Sequence, residues 1–258
     1  MLLGGLRTKG ITKQSQLDMP LITVITVVRN GEKTLEQTIL SVINQTYKNI
    51  EYIIIDGMST DSTLDIIKKY EDQIDYWMSE PDGGIYYAMN KGIDLAAGDW
   101  IIFMNGGDCF FETTSVSKCI KKMDDKNVLY YGDVYWTVIR KIYCGTFSRF
   151  KLAVQNICHQ DMFYPRCIYK EYKYQEKYKP LADYFYNISI YNKVPFRYLD
   201  ETVAKFEYGG CSSMSKNKTF EKDVLMLIFK NLGFFPFLWR IIRTRIVFNY
   251  IKYIRRAI

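Results

Sequence analysis

The residues best suited to chemistry gather at one break in an apolar run. Trp100-Ile101-Ile102-Phe103-Met104 reads as a strand buried on both faces, and it stops abruptly at Asn105-Gly106-Gly107-Asp108. Two glycines permit a sharp turn and close approach of another group. In open α/β sheets ligands bind beyond the carboxyl ends of strands, so Asp108 stands where a ligand or cation is held. A carboxylate is the hard oxygen donor that Mg²⁺ or Mn²⁺ prefers. Taken alone, the same four residues also suit an ordinary turn.

Other polar groups fall at equivalent breaks. Residues 21–28 form a strong buried strand that ends at Arg29-Asn30-Gly31. Residues 50–55 form a second strand, ending at Asp56-Gly57, with Ser59-Thr60-Asp61 supplying helix N-cap chemistry. Residues 74–78 form a third, closed by Glu80-Pro81-Asp82-Gly83-Gly84. Helical spacing of apolar residues fills the intervals at 32–44, 64–70 and 85–96. Strands alternating with helices imply a Rossmann-like, mostly parallel sheet with helices on both faces and right-handed crossovers. Arg29-Asn30, Asp56, Asp82 and Asn105 to Asp108 then share one sheet edge, a plausible ligand crevice. Neither G-x-G-x-x-G after the first strand nor G-x-x-x-x-G-K-[ST] is found, which argues against a dinucleotide site or a P-loop.

Beyond residue 110 the pattern changes. A helix is expected over 113–123, a hairpin over 128–136 and 138–147, a helix opening at Leu181-Ala182-Asp183, and a strand over 194–207 that ends at Tyr208-Gly209-Gly210. The Tyr- and Lys-rich stretch 169–179 reads as a solvated amphipathic helix, or else as an acceptor-side loop. Residues 1–19 read as a loosely structured lead-in.

The chain has 258 residues, 48% of them hydrophobic, enough for one large α/β domain with an appendage. Its six cysteines form no CxxC pair, which excludes the usual zinc and thioredoxin-like patterns and suits reduced thiols in a cytoplasm. No secretory leader and no spanning helix are expected. The net charge of +7 belongs to residues 222–258, which hold eight Lys or Arg and one acid, while the remainder is balanced. A nucleic-acid partner is therefore not indicated. Within that tail, Arg240, Arg243, Asn249, Lys252 and Arg256 alternate at helical steps with Leu238, Ile241, Ile242, Val247, Phe248, Ile251 and Ile254. Pro236 is expected to separate two helices. Such a basic amphipathic helix suits the surface of an anionic membrane, or packing on the domain or on a partner subunit.

Several ordered segments resemble one known family. Asn30, Leu35, Ser41-Val42-Ile43-Asn44-Gln45-Thr46-Tyr47, Ile50-Glu51 and Ile55-Asp56-Gly57-Met58-Ser59-Thr60-Asp61 are similar to family 2 glycosyltransferases of bacterial surface polysaccharide synthesis. So are Glu80-Pro81-Asp82-Gly83-Gly84-Ile85-Tyr86-Tyr87-Ala88-Met89-Asn90-Lys91-Gly92-Ile93 and Ala97-Gly98-Asp99. The resemblance covers roughly residues 20–215. It implies a GT-A fold with a nucleotide-sugar half at 20–110 and an acceptor half at 111–221, followed by the tail 222–258.

The implied reaction is transfer, with inversion, of a sugar from a nucleotide donor, by default UDP-linked, to a glycan or polyprenyl-diphosphate-linked acceptor in O-antigen, capsule or exopolysaccharide synthesis. By the same resemblance Asp108 is the metal-binding aspartate for Mn²⁺ or Mg²⁺. Asp56 faces the base, and Thr26, Asp82, Asn90 and Asn105 line the donor pocket. Asp183 is the general base, His159 has a second claim to that role, and His159 with Gln160 contacts the acceptor or the pyrophosphate. The family's usual run is D-x-D-D. Gly107 here replaces the penultimate carboxylate, which resembles a subgroup variant. That departure leaves an alternative, a catalytically silent sugar-nucleotide-binding subunit of a membrane-associated assembly complex. The implied location is cytoplasmic, peripheral on the inner membrane, and a homo-oligomer is compatible with it.

Overall fold

The structure, a computed structural model, describes residues 1–143, 145–206 and 217–257, the side chains beyond residue 246 excepted. Its spine is four parallel strands: β2 (Ile22–Val28), β3 (Ile50–Asp56), β4 (Tyr76–Ser79) and β5 (Trp100–Phe103). All residues of β2, β3 and β5 are buried, which is why their sequences are dominated by apolar residues on both faces, with the few polar ones such as Glu51 and Asp56 hydrogen-bonded inside. Each fully buried Ile or Val there contributes on the order of 2 kcal/mol.

Helices cover both faces. On one face α1 (Leu35–Ile43) buries Leu35, Ile39 and Val42, spaced by helical turns, beside α2 (Thr63–Lys69). On the other, α3 (Ile85–Leu95) buries Tyr86, Met89 and Ile93. Gly92 brings α3 close to the sheet, since a Cβ there would lie 2.5 Å from Cγ2 of Ile25. Here the expected alternation holds.

The second half extends the same sheet. After β6 (Cys109–Phe110) and α4 (Ser115–Ile120) come β7 (Leu129–Trp136) and β8 (Lys141–Tyr143), the anticipated hairpin. Then follow α5 (Arg149–Leu152), β9 (Met162–Pro165), α6 (Arg166–Tyr169), α7 (Ala182–Ile190) and β10 (Phe196–Phe206). β9 runs antiparallel to both β5 and β7 and so joins the two halves. With the edge strand β1 (Leu2–Gly4), the order is β1-β4-β3-β2-β5-β9-β7-β10-β6.

Three expectations need correction. Residues 1–19 are no loose lead-in. β1 pairs antiparallel with β4, where Gly4 leaves room for the Trp77 ring. Arg7 ion-pairs with buried Glu51, and Lys13 Nζ lies 2.8 Å from Asp75 Oδ2. The segment 169–179 is not a solvated helix. Tyr169, Tyr174 and Tyr178 are buried, and the rings of Tyr174 and Tyr186 pack 4.7 Å apart. Tyrosine carries enough apolar area to be core where its hydroxyl finds a partner, and Tyr169 donates to the carbonyl of Gly98.

The tail does form two helices, α8 (Lys218–Leu232) and α9 (Phe234–Ala257), but they divide at Gly233 (φ +98°), with Pro236 inside the first turn of α9. α8 is a core helix, burying Phe220, Val224, Ile228 and Leu232 at four-residue steps. The expected strand end at Tyr208-Gly209-Gly210 and the side chains of Val247, Phe248, Asn249, Ile251, Lys252, Ile254 and Arg256 lie outside the described residues.

Candidate functional site

The loop after β5 is fastened on three sides. The Met104 amide donates to Ile25 O (2.9 Å), Gly106 N to Val27 O (3.1 Å) and Gly107 N to Thr38 Oγ1 on α1 (2.9 Å). Gly107 has φ +106°, a region an L side chain rarely adopts, so the turn requires glycine here. Asp108 N closes the turn on Asn105 O at 2.8 Å. The result is a rigid loop at the sheet edge, beside the Arg29-Asn30-Gly31 turn that ends β2. The Asn30 side chain accepts from Thr60 N (2.9 Å), tying that turn to the loop before α2.

These turns border a cleft of about 560 Å³. Five of the candidate residues line it: Asp82, Asn105, Asp108, His159 and Gln160. Gln160 Nε2 donates to Asp108 Oδ2 at 3.1 Å. Asn105 Nδ2 lies 2.8 Å from His159 Nε2. With the amide donating, Nε2 accepts and the ring proton sits on Nδ1, which is 3.5 Å from Asp183 Oδ2. Asp183 stands behind the histidine at the start of α7. It accepts from Tyr184 N (2.8 Å), Asn156 Nδ2 (2.9 Å) and Tyr86 OH (3.2 Å). A carboxylate so supplied with donors keeps its orientation, and it fixes that of the imidazole.

Asp108 is only 8% exposed, and burial pushes its carboxyl up to about 6, against the opposing pull of His159 and Gln160. Perturbed carboxyls of this kind cluster at functional sites. Asn105 Oδ1 is buried without a hydrogen-bond partner, an orphan acceptor at the other end of the turn that Asp108 closes. Among the described residues no three His, Cys, Asp or Glu side chains converge as a metal-ligand set. A carboxylate and an unsatisfied amide oxygen fit a hard cation that takes its remaining ligands from water and phosphate, as Mg²⁺ characteristically does. They do not fit a protein-caged ion.

Three other candidates have partners of their own. Thr26 is wholly buried and donates to Met104 O (2.6 Å), with Tyr52 OH at 3.0 Å; it tethers β2 to the end of β5 and does not line the cleft. Asn90 clamps the backbone of Tyr174, with both bonds at 2.9 Å, and is a scaffold residue as well. Asp56 is buried at the end of β3, accepting from Ser79 Oγ (2.6 Å) and Ser59 N (3.1 Å). It shapes the turn at Gly57, where a Cβ would meet Asp82 Oδ2 at 2.6 Å.

The sequence reading missed Asn156 and Thr38, which position Asp183 and Gly107. It also missed Lys179 and Pro180, which line the cleft beside Gly84 and Tyr86. Neither Lys179 nor Asn156 carries a local signal, since tertiary folding alone brings them to the site.

Comparison with known proteins agrees with this architecture. A family model described as Glycosyl transferase family 2 matches residues 23–218. A PGL/p-HBAD biosynthesis glycosyltransferase of Mycobacterium bovis is 31% identical over 217 residues, covering 80% of this chain and 85% of that protein. An uncharacterized glycosyltransferase of Haemophilus influenzae is 40% identical over 95 residues, 36% of this chain and 38% of that one. Staphylococcus aureus TarS in complex with UDP-GlcNAc shares the fold with a TM-score of 0.67 at 18% identity, over 82% of this chain and 66% of that one. The mannosyltransferase PcManGT of Pyrobaculum calidifontis, in complex with GDP-Man and Mn²⁺, gives 0.59 at 15% identity, over 85% of this chain and 66% of that one. The chain thus spans about two thirds of these two solved structures. Because the family match runs from the first residues of β2 to the start of α8, the chain belongs to glycosyl transferase family 2, with the GT-A fold.

Proposed function

We propose that the protein transfers a sugar from a UDP-linked donor to a hydroxyl of a glycan or polyprenyl-diphosphate-linked acceptor, with inversion, in the synthesis of a bacterial surface polysaccharide. The observation that carries this reading is the convergence on one cleft of two linked pairs, Asp108 with Gln160 and His159 with Asp183. Inversion by direct displacement needs a group that takes the acceptor proton as the new bond forms. The Asp183–His159 pair suits that task. His159 borders the cleft; its Nε2 would take the proton on exchanging the Asn105 amide for the acceptor hydroxyl, while Asp183 faces the opposite ring nitrogen and balances the positive charge that the proton brings. At the other end of the bond, the departing diphosphate develops negative charge. Asp108 and the Asn105 amide oxygen would hold a divalent cation, Mn²⁺ or Mg²⁺, which supplies Lewis-acid stabilisation when bound. The glycines at 106 and 107 leave the loop's backbone open to a phosphate.

The donor base is argued from the neighbours. TarS is known with UDP and UDP-GlcNAc, and PcManGT with GDP-Man and Mn²⁺. Thermal stabilisation by UDP, GDP and dTDP, each with and without Mn²⁺, tests the assignment. UDP with Mn²⁺ should give the largest rise in Tm, and a flat response across the panel would refute a nucleotide-sugar site. A second reading, a sugar-nucleotide-binding subunit without turnover, draws on Gly107, which replaces an acidic residue of the family's usual run. Hydrolysis of UDP-sugar in Mn²⁺ by the wild type, lost in Asp108→Ala, would exclude it.

A further inference from the structure

The helix α9 packs Pro236 and Phe237 toward the core yet leaves a second apolar face in water. Its inward side carries a cation: Arg240 Nη1 donates to Ala153 O (2.9 Å) and lies 3.5 Å from Tyr184 OH. Its outward side carries an apolar stripe. Phe235, Leu238, Trp239, Ile242 and Ile246 fall at steps of three and four residues and are 71%, 40%, 42%, 43% and 60% exposed. On α8 the neighbouring Phe229 and Met226 are exposed as well, the Phe229 ring 5.6 Å from that of Phe237. Five exposed apolar side chains along one helix face mark a surface that has a partner.

The chemistry of the rim selects the partner. α9 holds six Lys or Arg and no Asp or Glu. Arg243 also borders a groove of about 420 Å³ between α5 and α9, together with Ser148, Phe150, Lys151 and Trp239. Two cations, a hydroxyl and two aromatic rings around one groove match a phosphate headgroup at the edge of hydrocarbon. A second copy of this chain would bring six more positive charges to the same patch, which disfavours self-association. No described helix is long and apolar enough to cross a membrane, so α9 would lie along a bilayer rather than through it.

We infer that the outward face of α9, with the α5–α9 groove, binds the surface of a bilayer rich in anionic lipid. The apolar stripe enters the headgroup boundary, and Lys151, Arg243 and Arg245 engage lipid phosphates. Because Arg240 reaches Tyr184, next to Asp183, the docked surface lies close to the acceptor side of the cleft. The inference is independent of the donor chemistry and needs no turnover to test.

The full chain is sedimented with vesicles of phosphatidylcholine alone and of phosphatidylcholine mixed with phosphatidylglycerol. Binding is expected to the mixed vesicles only, with a blue shift of tryptophan emission from Trp239, since Trp77 and Trp100 are already buried and Trp136 is stacked with Tyr143 and Phe206. Arg243→Gln with Arg245→Gln should weaken binding about thirtyfold, about fivefold for each charge near the surface. Trp239→Glu should abolish sedimentation, whereas Trp239→Phe should keep it and lose most of the blue shift. The arginine pair and Trp239→Phe carry the test if Trp239→Glu does not fold. Equal binding to both vesicle types, no binding to the mixed vesicles, or unchanged binding by the arginine pair would overturn the inference. So would a wild-type dimer that Trp239→Glu splits and that ignores vesicles, because the face is then a subunit interface.

Discussion

Asp108 should weaken the fold that carries it, and Asp108→Asn should relieve the cost. The carboxyl is pushed from its ordinary value of 3.8 to about 6, chiefly by burial. At about 1.4 kcal/mol per pH unit, that distance corresponds to about 3 kcal/mol against the ionised form in the folded protein. The sign follows from proton binding. Between about pH 4 and 6 the folded state holds this proton more tightly than the unfolded state, so stability falls as pH rises through that window. Below it the cost is absent, and above it the cost is constant.

Asn at 108 cannot ionise and still offers Gln160 Nε2 an acceptor. Its new NH₂ donor is buried, which returns about 1 kcal/mol. The net gain above pH 7 is therefore about 2 kcal/mol, or about 4–8 °C in Tm for a chain of this size. The assay is thermal or urea unfolding of both proteins in EDTA from pH 4.5 to 8. The two curves should converge at the acid end and separate to a plateau above about pH 6. A difference independent of pH, or a variant less stable than wild type at pH 8, would refute the account of Asp108 as a strained carboxylate held for a ligand. The same variant should lose the Mn²⁺-dependent stabilisation by UDP.

Three further outcomes follow from the geometry. Asp183→Asn should lower kcat by about 10²–10⁴ and leave UDP affinity, measured by calorimetry, near wild type; a parallel loss of both would place Asp183 in donor binding instead. Ile228→Ala, in the wholly buried face of α8, should cost about 2–5 kcal/mol in urea unfolding, and a change below about 0.5 kcal/mol would mean α8 is an appendage. Arg7→Ala should cost about 3 kcal/mol by leaving Glu51, 2% exposed, without its cation, and a neutral result would detach the N-terminal segment from the core.

The alternating strands and helices of residues 20–110 were legible because their signals are local. A strand buried on both faces has to be a run such as Ile22 to Val28, and a helix that covers it has to repeat at Leu35, Ile39 and Val42. The polar breaks after those strands announced the sheet edge and hence Asp82, Asn105 and Asp108. Elsewhere the signals are distant. β1 is three residues long, and its partner β4 is more than seventy residues away, so nothing near Leu2 marks it as a strand. The tyrosines of 169–179 look solvated beside their lysines until Asn90 and Gly98 supply partners from another element. Thr26 and Asn90 show the converse limit. Residue type and motif position suggested ligand contacts, but both side chains are occupied by hydrogen bonds within the scaffold. α9 was amphipathic by sequence, yet only the fold reveals that Phe235, Leu238, Trp239, Ile242 and Ile246 face outward while Phe237 and Arg240 face the domain.

The positive φ at Gly107 also bears on how this lineage could change. An acid at 107 would give the loop a second carboxylate beside Asp108, and a single nucleotide change converts many glycine codons to aspartate. That step is not open to this chain at equal fitness. Cβ would have space, with its nearest neighbour at 3.7 Å, but the backbone angle of +106° disfavours any L side chain. An acid at 107 needs a shift in the tether from Gly107 N to Thr38, so the one-carboxylate loop is held in place by its own geometry.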